Sequence, residues 1–526
     1  MNVVGAVLLG LLLALAYAAQ MSRWLRVLQR EHYEPSSMLR FLGRWSAPPR
    51  SSAKISARMR TTSRAKRPVT LTYVLIVAMA ATIILRANDL LVIACALYGL
   101  FCPQGLSIRG RTSPLEWTRR LRGVALVSIS VSSVVTILGL LTTMPFIGGV
   151  IAVLAVPPVL DLTTRILGPL ENRKAQKFVE QAERRLAQVH PRVVAITGSY
   201  GKTSTKNHLA EILSDDGSVV ASPRSFNNRA GLSRAINENL AEGTRVFIAE
   251  MGTYGPGEIR ALTSWCVPEI AVVTAIGPVH LERMKSLDVV EAAKREITER
   301  ATTVVLNVDD PRLANWPESL RAEGKRVITV GSMNTGADLH VVSEAHRWTL
   351  IVEGTNVGTI DEIVGVQPTN VACALGAAMA LGVEGSDLPG RLARLRPVAN
   401  RLNVVTAESG VVVIDDTFNA NPASVVAALK VLSSLDLSGR RVVVTPGLVE
   451  LGDQQYGENL RLASRVVAVP AELVVVARTN VVALEAAYQK PVKRFDTREE
   501  AVAWVRSSLV AGDGVLYLND LPDHYP

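Results

Sequence analysis

The stretch Arg192-Val-Val-Ala-Ile-Thr197-Gly198-Ser199-Tyr200-Gly201-Lys202-Thr203-Ser204 decides the fold class. Its first six residues are rich in β-branched side chains and predict a short buried strand, and a helical stretch to about Leu213 follows the glycine loop. This order is typical of a phosphate-binding loop, in which backbone N–H groups and the helix N-terminus face the anion, lysine reaches the β- and γ-phosphates and a hydroxyl ligates Mg²⁺. We therefore predict nucleotide contacts at Gly198, Ser199, Gly201, Lys202, Thr203 and Ser204.

Further β-branched runs alternate with segments of helical length on the C-terminal side of this loop. In the central part of the chain they are Arg245–Glu250, Ile270–Ile276, Val304–Asn307 and Val327–Val330. Nearer the C-terminus they are Val411–Ile414, Val442–Val444 and Leu473–Val476. This alternation predicts an α/β protein with a doubly wound, mostly parallel sheet and a second α/β domain after it.

Three polar residues follow the predicted strands at positions where a ligand is expected. Ligands of doubly wound sheets gather at the carboxyl ends of the strands. Glu250 ends one strand, His280 follows the next strand after a Gly-Pro turn, and Lys294 comes later in the same connection. A carboxylate and an imidazole beside a phosphate loop predict a Mg²⁺ site. Taken singly, these residues are equally well interpreted as a surface acid, a capping histidine and a solvated helix lysine.

The positive charge of the chain is confined to its first part. Residues 1–190 carry 24 Lys and Arg against 8 Asp and Glu, whereas residues 191–526 carry 33 against 39. A nucleic-acid-binding protein is expected to concentrate basic residues on its folded domain, and here that domain is mildly acidic. We therefore expect no nucleic-acid partner. The four cysteines show no paired metal-binding spacing, so reduced thiols are expected.

Five apolar stretches precede residue 165, and each is close to the roughly 20 residues that a membrane-spanning helix needs. They are Val3–Ala19, Val69–Leu85, Leu90–Ile108, Val124–Leu141 and Met144–Leu160. Arginine-rich loops separate the first stretch from the second and the third from the fourth, while the other connections are short and nearly uncharged. The positive-inside rule then predicts an integral plasma membrane protein with five crossings, its N-terminus outside and everything after residue 165 on the cytoplasmic face.

Other interpretations of this region remain open. Small residues at Ala16–Ala19 also fit a cleaved signal peptide, and residues 144–160 also fit a re-entrant hairpin. No Asp, Glu, Lys or His lies within a predicted span, which argues against an ion path. Two roles remain for this region: it anchors the chain in the membrane, or it anchors the chain and also binds a lipid-linked substrate.

Seven ordered motifs resemble those of the Mur ligases, the ATP-dependent ligases that add amino acids to peptidoglycan precursors. The similarity is greatest to the branch that adds D-alanyl-D-alanine to the UDP-N-acetylmuramoyl tripeptide. The motifs are Thr197-Gly-Ser-Tyr-Gly-Lys-Thr203, Phe226-Asn-Asn-Arg-Ala-Gly231, Ala249-Glu-Met-Gly252, Gly277-Pro-Val-His-Leu-Glu282, Ala293-Lys-Arg-Glu-Ile297, Asn307-Val-Asp-Asp310 and Ile414-Asp-Asp-Thr-Phe-Asn-Ala-Asn-Pro422.

The resemblance implies a role for each matching residue. Lys202 would bind the β- and γ-phosphates, Thr203, Glu250 and His280 would ligate Mg²⁺, and Lys294 would carry a carbamate near a second Mg²⁺. Asn228 would lie near the metal and the phosphates, and Asn370 would contact adenine. In the C-terminal domain, Arg401 and Asp416 would reach the γ-phosphate and ribose. Asn419 and Asn421 would lie in a loop that helps complete the site on closure.

The implied domain order is a membrane region at 1–165, a linker helix at 166–190, an ATP-binding Mur ligase central domain at 191–400 and a Mur ligase C-terminal domain at 401–526. The implied reaction joins a carboxylate to the amine of an amino acid or dipeptide through an acyl phosphate, with ATP and two Mg²⁺ ions. Because membrane spans stand in place of a UDP-binding domain, we expect a lipid-linked or polymeric carboxylate acceptor and contact with membrane lipid.

Two alternatives stay open at the sequence level. A poly-γ-glutamate-type polymerising ligase also joins such a domain to a membrane segment. A non-catalytic nucleotide-binding scaffold is favoured by Cys373, which stands where the adenine motif usually has a second asparagine. The residues from Tyr517 to the C-terminus match no family role and predict a solvated acidic end.

Overall fold

The computed structural model describes residues 3–519 except 32, 35–36, 47–66, 85–87, 104–105, 107, 109–114, 143, 216, 224–225, 364, 396–401 and 418–419. The chain divides into two compact units, Met1–Lys174 and Ala175–Asp520. The predicted site residues Arg401 and Asn419 lie outside the described residues, as do most of the first basic loop and the last seven residues of the chain.

Helices form the first unit. They are α1 (Val3–Arg30), α2 (Ser37–Ser46), α3 (Arg67–Ile84), α4 (Asn88–Phe101), α5 (Arg119–Leu140), α6 (Ile147–Leu154) and α7 (Val156–Val189), of which α7 continues into the second unit. Helix α1 packs on α4, where the side chain of Ala16 lies against Gly99. The buried guanidinium group of Arg23 donates hydrogen bonds to the carbonyl oxygens of Gly99 (2.7 Å) and Leu106 (3.0 Å). It thereby satisfies the carbonyl group of Gly99 in the last turn of α4, where carbonyl groups have no partner within the helix.

The apolar stretches differ in the length of the helices that they form. By length and composition, α1 and α5 can cross a membrane, and a third span is obtained if α6 and α7, which meet at a bend of 67°, form one crossing. Helix α4 has 14 residues, because the chain leaves the helix just before Pro103, whose nitrogen has no hydrogen to donate. Helix α1 runs without a break through Ala16–Ala19, the position of the alternative cleavage site.

The second unit contains a nine-stranded sheet in the order β2-β3-β1-β4-β5-β6-β7-β8-β9. Its strands are β1 (Arg192–Thr197), β2 (Ser218–Ala221), β3 (Thr244–Glu250), β4 (Ile270–Val273), β5 (Thr303–Asn307), β6 (Arg326–Gly331), β7 (Leu339–Glu344), β8 (Arg347–Val352) and β9 (Thr355–Asp361). Pairing is parallel from β2 to β7 and antiparallel from β7 to β9. Thus the predicted parallel α/β fold is confirmed, and the hairpins at its edge were not foreseen.

Helices cover both faces of this sheet. They are α8 (Lys202–Ile212), α9 (Arg229–Asn239), α10 (Glu258–Thr263), α11 (Leu281–Met284), α12 (Leu287–Arg295), α13 (Trp316–Ala322), α14 (Pro368–Ala380) and α15 (Leu388–Leu392). Two apolar clusters, one on each face, bury the sheet. Because β1 lies between β3 and β4, the loops that follow these three strands meet at one edge of the sheet.

A six-stranded sheet follows, in the order β10-β11-β15-β12-β13-β14. Its strands are β10 (Asn403–Thr406), β11 (Val412–Asp416), β12 (Arg441–Thr445), β13 (Glu472–Val476), β14 (Lys493–Phe495) and β15 (Gly514–Leu518). Its helices are α16 (Pro422–Ser434), α17 (Gln455–Ala468), α18 (Val481–Tyr488) and α19 (Arg498–Ser508). The interpretation of Tyr517 onward as a solvated end needs correction, because Leu518 is buried within the central strand β15.

Candidate active site

Two glycines shape the loop between β1 and α8. Gly198 has φ 153° and Gly201 has φ 79°, conformations that glycine adopts without steric cost. A Cβ atom on Gly198 would collide with the hydroxyl of Thr274, and one on Gly201 would collide with the side-chain amide of Asn370. The loop therefore passes close to β4 and α14, and helix α8 begins directly after it at Lys202. Backbone N–H groups at this helix start suit an anion.

Ser199 ties the phosphate loop to the loop that follows β4. Its hydroxyl donates to the carbonyl oxygen of Gly277 (3.0 Å) and accepts from the Gly277 N–H (2.8 Å). Asp310 holds the same segment, because its carboxylate accepts from the N–H of Ile276 (2.6 Å). The Ser199 side chain is thus engaged in positioning the loop that leads to His280, a role that differs from the predicted nucleotide contact.

Lys202 and Lys294 are close enough for their charges to interact. The Nζ atom of Lys202 donates to the carbonyl oxygen of Gly198 (2.7 Å). Lys294, near the end of α12, is 2% exposed. Burial and the nearby charge of Lys202 hold the pKa of the Lys294 ammonium group well below its usual range. The loss of solvation disfavours the charged form of a buried lysine, so the surroundings of Lys294 favour its neutral amine more than those of an exposed lysine do.

Glu250 is engaged by a residue that the sequence did not single out. The Nζ atom of Lys206, on α8, lies 3.2 Å from a carboxylate oxygen of Glu250, and both side chains are 1% exposed. The side-chain amide of Asn227 donates to the other carboxylate oxygen (3.1 Å). A buried carboxylate requires such partners, because an unpaired charge there is strongly disfavoured. Lys206 lies one helical turn after Lys202, and that spacing was the available signal.

The two asparagines at 227 and 228 have different surroundings. Asn228, the predicted site residue, is exposed and caps α9, where its side-chain oxygen accepts from the N–H of Gly231 (2.9 Å). Its neighbour Asn227 is the one whose side chain reaches Glu250. The structure thus places Asn228 at the start of a helix and Asn227 against the buried carboxylate.

His280 is held between two partners. Its Nδ1 atom lies 2.7 Å from a carboxylate oxygen of Glu450, in the loop after β12. The ring of Tyr254 packs against the imidazole with ring centroids 4.5 Å apart. The backbone N–H of Leu281 also donates to the carbonyl oxygen of Glu450 (3.1 Å). The two sheets of this unit therefore meet at His280, and the other ring nitrogen, Nε2, is the one left to face a ligand.

A pocket lies beside the phosphate loop, between α8, the start of α14 and the strand-end loops of the second sheet. Two predicted nucleotide contacts, Asn370 and Asp416, line it together with Gly201 and Ser204. The other lining residues are Tyr200, His208, Gly365, Val366, Gln367, Leu402, Asn421, Ala423 and Ser424. Cys373 is not among them. Its thiol is buried in the core, and burial raises its pKa.

Metal ligands were predicted at Thr203, Glu250, His280 and Lys294. Among the described residues, no three His, Cys, Asp or Glu side chains converge in a way that could hold a metal ion. Thr203 is half-exposed at the start of α8, and the carboxylate of Glu250 already contacts Lys206.

Two family profiles match the second unit. The first, described as the Mur ligase middle domain, matches residues 196–380. The second, described as the Mur ligase glutamate ligase domain, matches residues 400–518. The chain belongs to the Mur ligase family. The phosphate loop, Glu250, His280 and Lys294 fall in the middle domain, and Asp416 and Glu450 in the C-terminal one.

Curated relatives agree with this assignment. A UDP-N-acetylmuramoyl-tripeptide–D-alanyl-D-alanine ligase of Mycobacterium leprae is 32% identical over 317 residues, which are 54% of this chain and 60% of that protein. The enzyme of the same name from Escherichia coli is 33% identical over 295 residues, 52% of this chain and 63% of that protein. The chain thus spans about three fifths of the length of these relatives.

Solved structures share the fold. MurF ligase from Thermotoga maritima in complex with ADP has a TM-score of 0.58 and 25% identity, and the match covers 66% of this chain and 80% of that one. MurF from Acinetobacter baumannii has a TM-score of 0.58 at 24% identity, covering 66% of this chain and 77% of that one. The Mur ligase fold is therefore confirmed for the second unit.

Buried asparagines fix the Mur ligase C-terminal loop that presents Glu450. Asn459 accepts from the N–H of Leu448 (2.8 Å) and donates to its carbonyl oxygen (2.9 Å). Asn480 donates to the carbonyl oxygen of Pro446 (2.9 Å), and Asn519 donates to that of Gly447 (2.7 Å). Sequence reasoning missed all three asparagines. Asn480 and Asn519 lie far along the chain from the loop, and no motif marks Asn459 on the nearby helix α17.

Proposed function

We propose that this chain is a membrane-embedded, ATP- and Mg²⁺-dependent ligase that joins a carboxylate to an amine and forms ADP and phosphate. The observation that carries the proposal is the pocket in which Gly201 and Ser204 of the phosphate loop face Asn370 and Asp416. Membership of the Mur ligase family supports it, as do relatives named as D-alanyl-D-alanine ligases.

The phosphate loop supports nucleotide binding through its shape. Gly198 and Gly201 leave room where any other side chain would project into neighbouring atoms, and the helix N-terminus after them favours negative charge. Lys202 adds a positive charge at the same place. The similar Thermotoga maritima structure contains ADP. ATP would therefore place its phosphates at this loop and its nucleoside in the adjoining pocket.

The proposed chemistry has two balanced steps. An oxygen of the acceptor carboxylate attacks the γ-phosphorus of ATP, the bond to the bridging oxygen breaks, and ADP leaves. The donor amine then attacks the acyl carbon, phosphate departs with the carboxylate oxygen, and the amine loses a proton. Both steps gather negative charge, which Lys202 offsets, and holding the reactants together supplies much of the rest.

Oxygen and imidazole groups near the loop form the donor set for Mg²⁺. Thr203 offers a hydroxyl, Glu250 a carboxylate and His280 the ring nitrogen that does not face Glu450. Hard cations such as Mg²⁺ prefer oxygen ligands, which Thr203 and Glu250 supply, and Glu250 would exchange its contact with Lys206 for the ion. A bound Mg²⁺ would neutralise phosphate charge. Burial lowers the pKa of Lys294, which favours the neutral amine that can form a carbamate with CO₂, and the negative charge of a carbamate would suit a second Mg²⁺ ion.

We further propose that the acceptor is lipid-linked or polymeric and that the donor is an amino acid or a dipeptide. The two spanning-length helices of the first unit support a membrane location, and the basic loops favour ligase domains on the cytoplasmic face. The relatives' name suggests D-alanyl-D-alanine as a donor to test first. The two family profiles begin at residue 196, so the proposed contact with a lipid-linked or polymeric acceptor is assigned to the first unit, which precedes them.

The proposal is tested by measuring phosphate release from Mg-ATP by the detergent-solubilised full chain. D-alanyl-D-alanine and single amino acids are offered with a bacterial membrane-lipid extract or with the UDP-linked muramoyl tripeptide. Release that needs an amine, and an amide product found only with the extract, is the expected result. Lys202→Ala should abolish release, whereas Lys430→Ala, at an exposed lysine on α16, should leave it unchanged.

Other outcomes would overturn parts of this proposal. A product formed only with the UDP-linked tripeptide would contradict the lipid-linked acceptor and retain the ligase. A ladder of products with glutamate alone would favour a polymerising ligase. Nucleotide binding without amine-dependent release under any of these conditions would contradict catalysis and favour a nucleotide-binding scaffold.

A further inference from the structure

One ring nitrogen of His208, Nδ1, is a buried polar atom without a hydrogen-bond partner among the described residues. His208 lies on α8 and is 2% exposed. Its Nδ1 atom is buried and makes no hydrogen bond with any described residue. Burying a polar group without a partner is costly, and a core position of this kind is ordinarily apolar. A histidine here therefore calls for a partner that binds the protein.

His208 borders the nucleotide pocket. It shares a face of α8 with Ser204, which lies one helical turn nearer the phosphate loop. Gln367 and Asn370, at the start of α14, line the pocket with it. Because the phosphates would occupy the start of α8, a group farther along the helix lies toward the nucleoside end of the pocket.

The electrostatic state of the ring suits a neutral partner. Burial lowers the pKa of His208 to about 4, so the imidazole is uncharged at neutral pH. An uncharged imidazole offers one N–H donor and one acceptor nitrogen. The edge of adenine likewise offers a donor, its amino group, beside ring nitrogens that accept.

Resting on the proposed ATP-dependent function, we propose that His208 hydrogen-bonds the base of the bound nucleotide. This bond would help the pocket select adenine over bases that carry a carbonyl group in place of the adenine amino group. His208 is then a specificity-determining residue of the nucleotide pocket. Lys202 and the glycine loop would bind the phosphates independently of it.

The experiment compares binding of Mg-ADP, Mg-inosine diphosphate and Mg-pyrophosphate to the detergent-solubilised full chain by calorimetry. Inosine diphosphate replaces the amino group of adenine with a carbonyl. His208→Met fills the space with an apolar side chain, and His208→Gln keeps a donor and an acceptor. His340→Met is the matched control, because His340 is also buried but lies on β7, away from the pocket.

We expect His208→Met to weaken Mg-ADP binding by about tenfold, the size of one hydrogen bond, and to reduce the preference for ADP over inosine diphosphate. Pyrophosphate binding should not change, and His208→Gln should retain part of the preference. The inference is overturned if His208→Met keeps the same preference, or if it weakens ADP and pyrophosphate equally.

Failure of this inference is distinguishable from failure of the proposed function. If the unaltered chain binds none of the three ligands, the nucleotide-dependent function itself is contradicted, and the role of His208 with it. If the unaltered chain binds Mg-ADP, and His208→Met binds each of the three ligands as tightly as the unaltered chain does, only the role of His208 is contradicted. Should His208→Met fail to fold, the same comparison with His208→Leu against His340→Leu decides the matter, because a purely structural role leaves the preference for ADP over inosine diphosphate unchanged.

Discussion

Lys294 carries the clearest chemical signature of a single residue in the ligase part. Its pKa is lowered by burial and by the charge of Lys202, and only an uncharged amine can react with CO₂. We predict that Lys294→Ala lowers product formation on the order of a hundredfold, as loss of a charge-positioning group does, while Mg-ADP still binds. Mass spectrometry of the native protein should detect one added CO₂ on Lys294 that disappears at acidic pH, as the amine becomes protonated. Activity equal to that of Lys430→Ala would contradict this role.

His208 makes folding stability depend on pH. Its pKa is lowered to about 4 in the folded chain from about 6.5 in an unfolded one. The unfolded chain therefore binds more protons between these values, so this contribution is complete above pH 6.5 and is lost as pH falls toward 4. We predict that the free energy of unfolding falls by about 2 kcal/mol more in the unaltered chain than in His208→Met between pH 7.5 and 5. Equal losses in the two proteins would show that His208 does not titrate in this way.

At the residue scale, the structure brings several of the predicted site residues close together. Gly201, Asn370 and Asp416 line one pocket, and Lys202 bonds Gly198 in the adjoining loop. Their roles in binding nucleotide stay predictions. The pairing of Glu250 with Lys206 could not be read from spacing alone, because it joins α8 to the end of β3 across the sheet. Spacing also does not tell which of the two neighbouring asparagines contacts Glu250. Asn227 does so and Asn228 does not, because adjacent side chains in this turn point in different directions.

Among the elements, the loop from Pro446 to Glu450 depends on distant side chains for its shape. Asn459 makes two hydrogen bonds to Leu448 and is fully buried. We predict that Asn459→Ala lowers the free energy of unfolding of the ligase part by about 2 to 3 kcal/mol, because two buried backbone groups lose their partner. Chemical denaturation would measure this. Ser464→Ala, at an exposed position on the same helix, should change it little, and equal effects would contradict the anchoring role.

Sequence patterns located strands well where hydrophobicity and burial coincide. Strand β1 was predicted with its observed limits, and β5 and β6 within one residue at each end. The run Ile270–Ile276 was predicted too long, because Thr274 leaves the strand and its hydroxyl bonds the carbonyl oxygen of Thr197 (3.2 Å). Strands β7 to β9 were missed because hairpins at a sheet edge, with partly exposed residues, carry a weaker apolar signal.

At the scale of the whole ligase part, the contact between His280 and Glu450 joins its two sheets. Metal-binding histidines commonly use their other ring nitrogen to bond a carboxylate, which fixes the ring. We predict that His280→Ala and Glu450→Ala each lower kcat/KM. When these losses are expressed as increases in activation free energy, the increase in the double variant should be smaller than the sum of the two single increases by about 1 kcal/mol. Glu472→Ala, on the exposed side of β13, serves as the control for the loss of a carboxylate. Strict additivity would contradict the coupling.

The most direct test of amide ligation follows the oxygen atoms of the released phosphate. The full chain is incubated with Mg-ATP, D-alanyl-D-alanine and the membrane-lipid extract in water labelled with oxygen-18. If a carboxylate attacks the γ-phosphorus and an amine displaces phosphate, the fourth phosphate oxygen comes from the acceptor. The account therefore predicts amine-dependent phosphate that carries no solvent oxygen and is absent with Lys202→Ala. Solvent oxygen in the amine-dependent phosphate would mean hydrolysis of ATP by water and would contradict the proposed ligase.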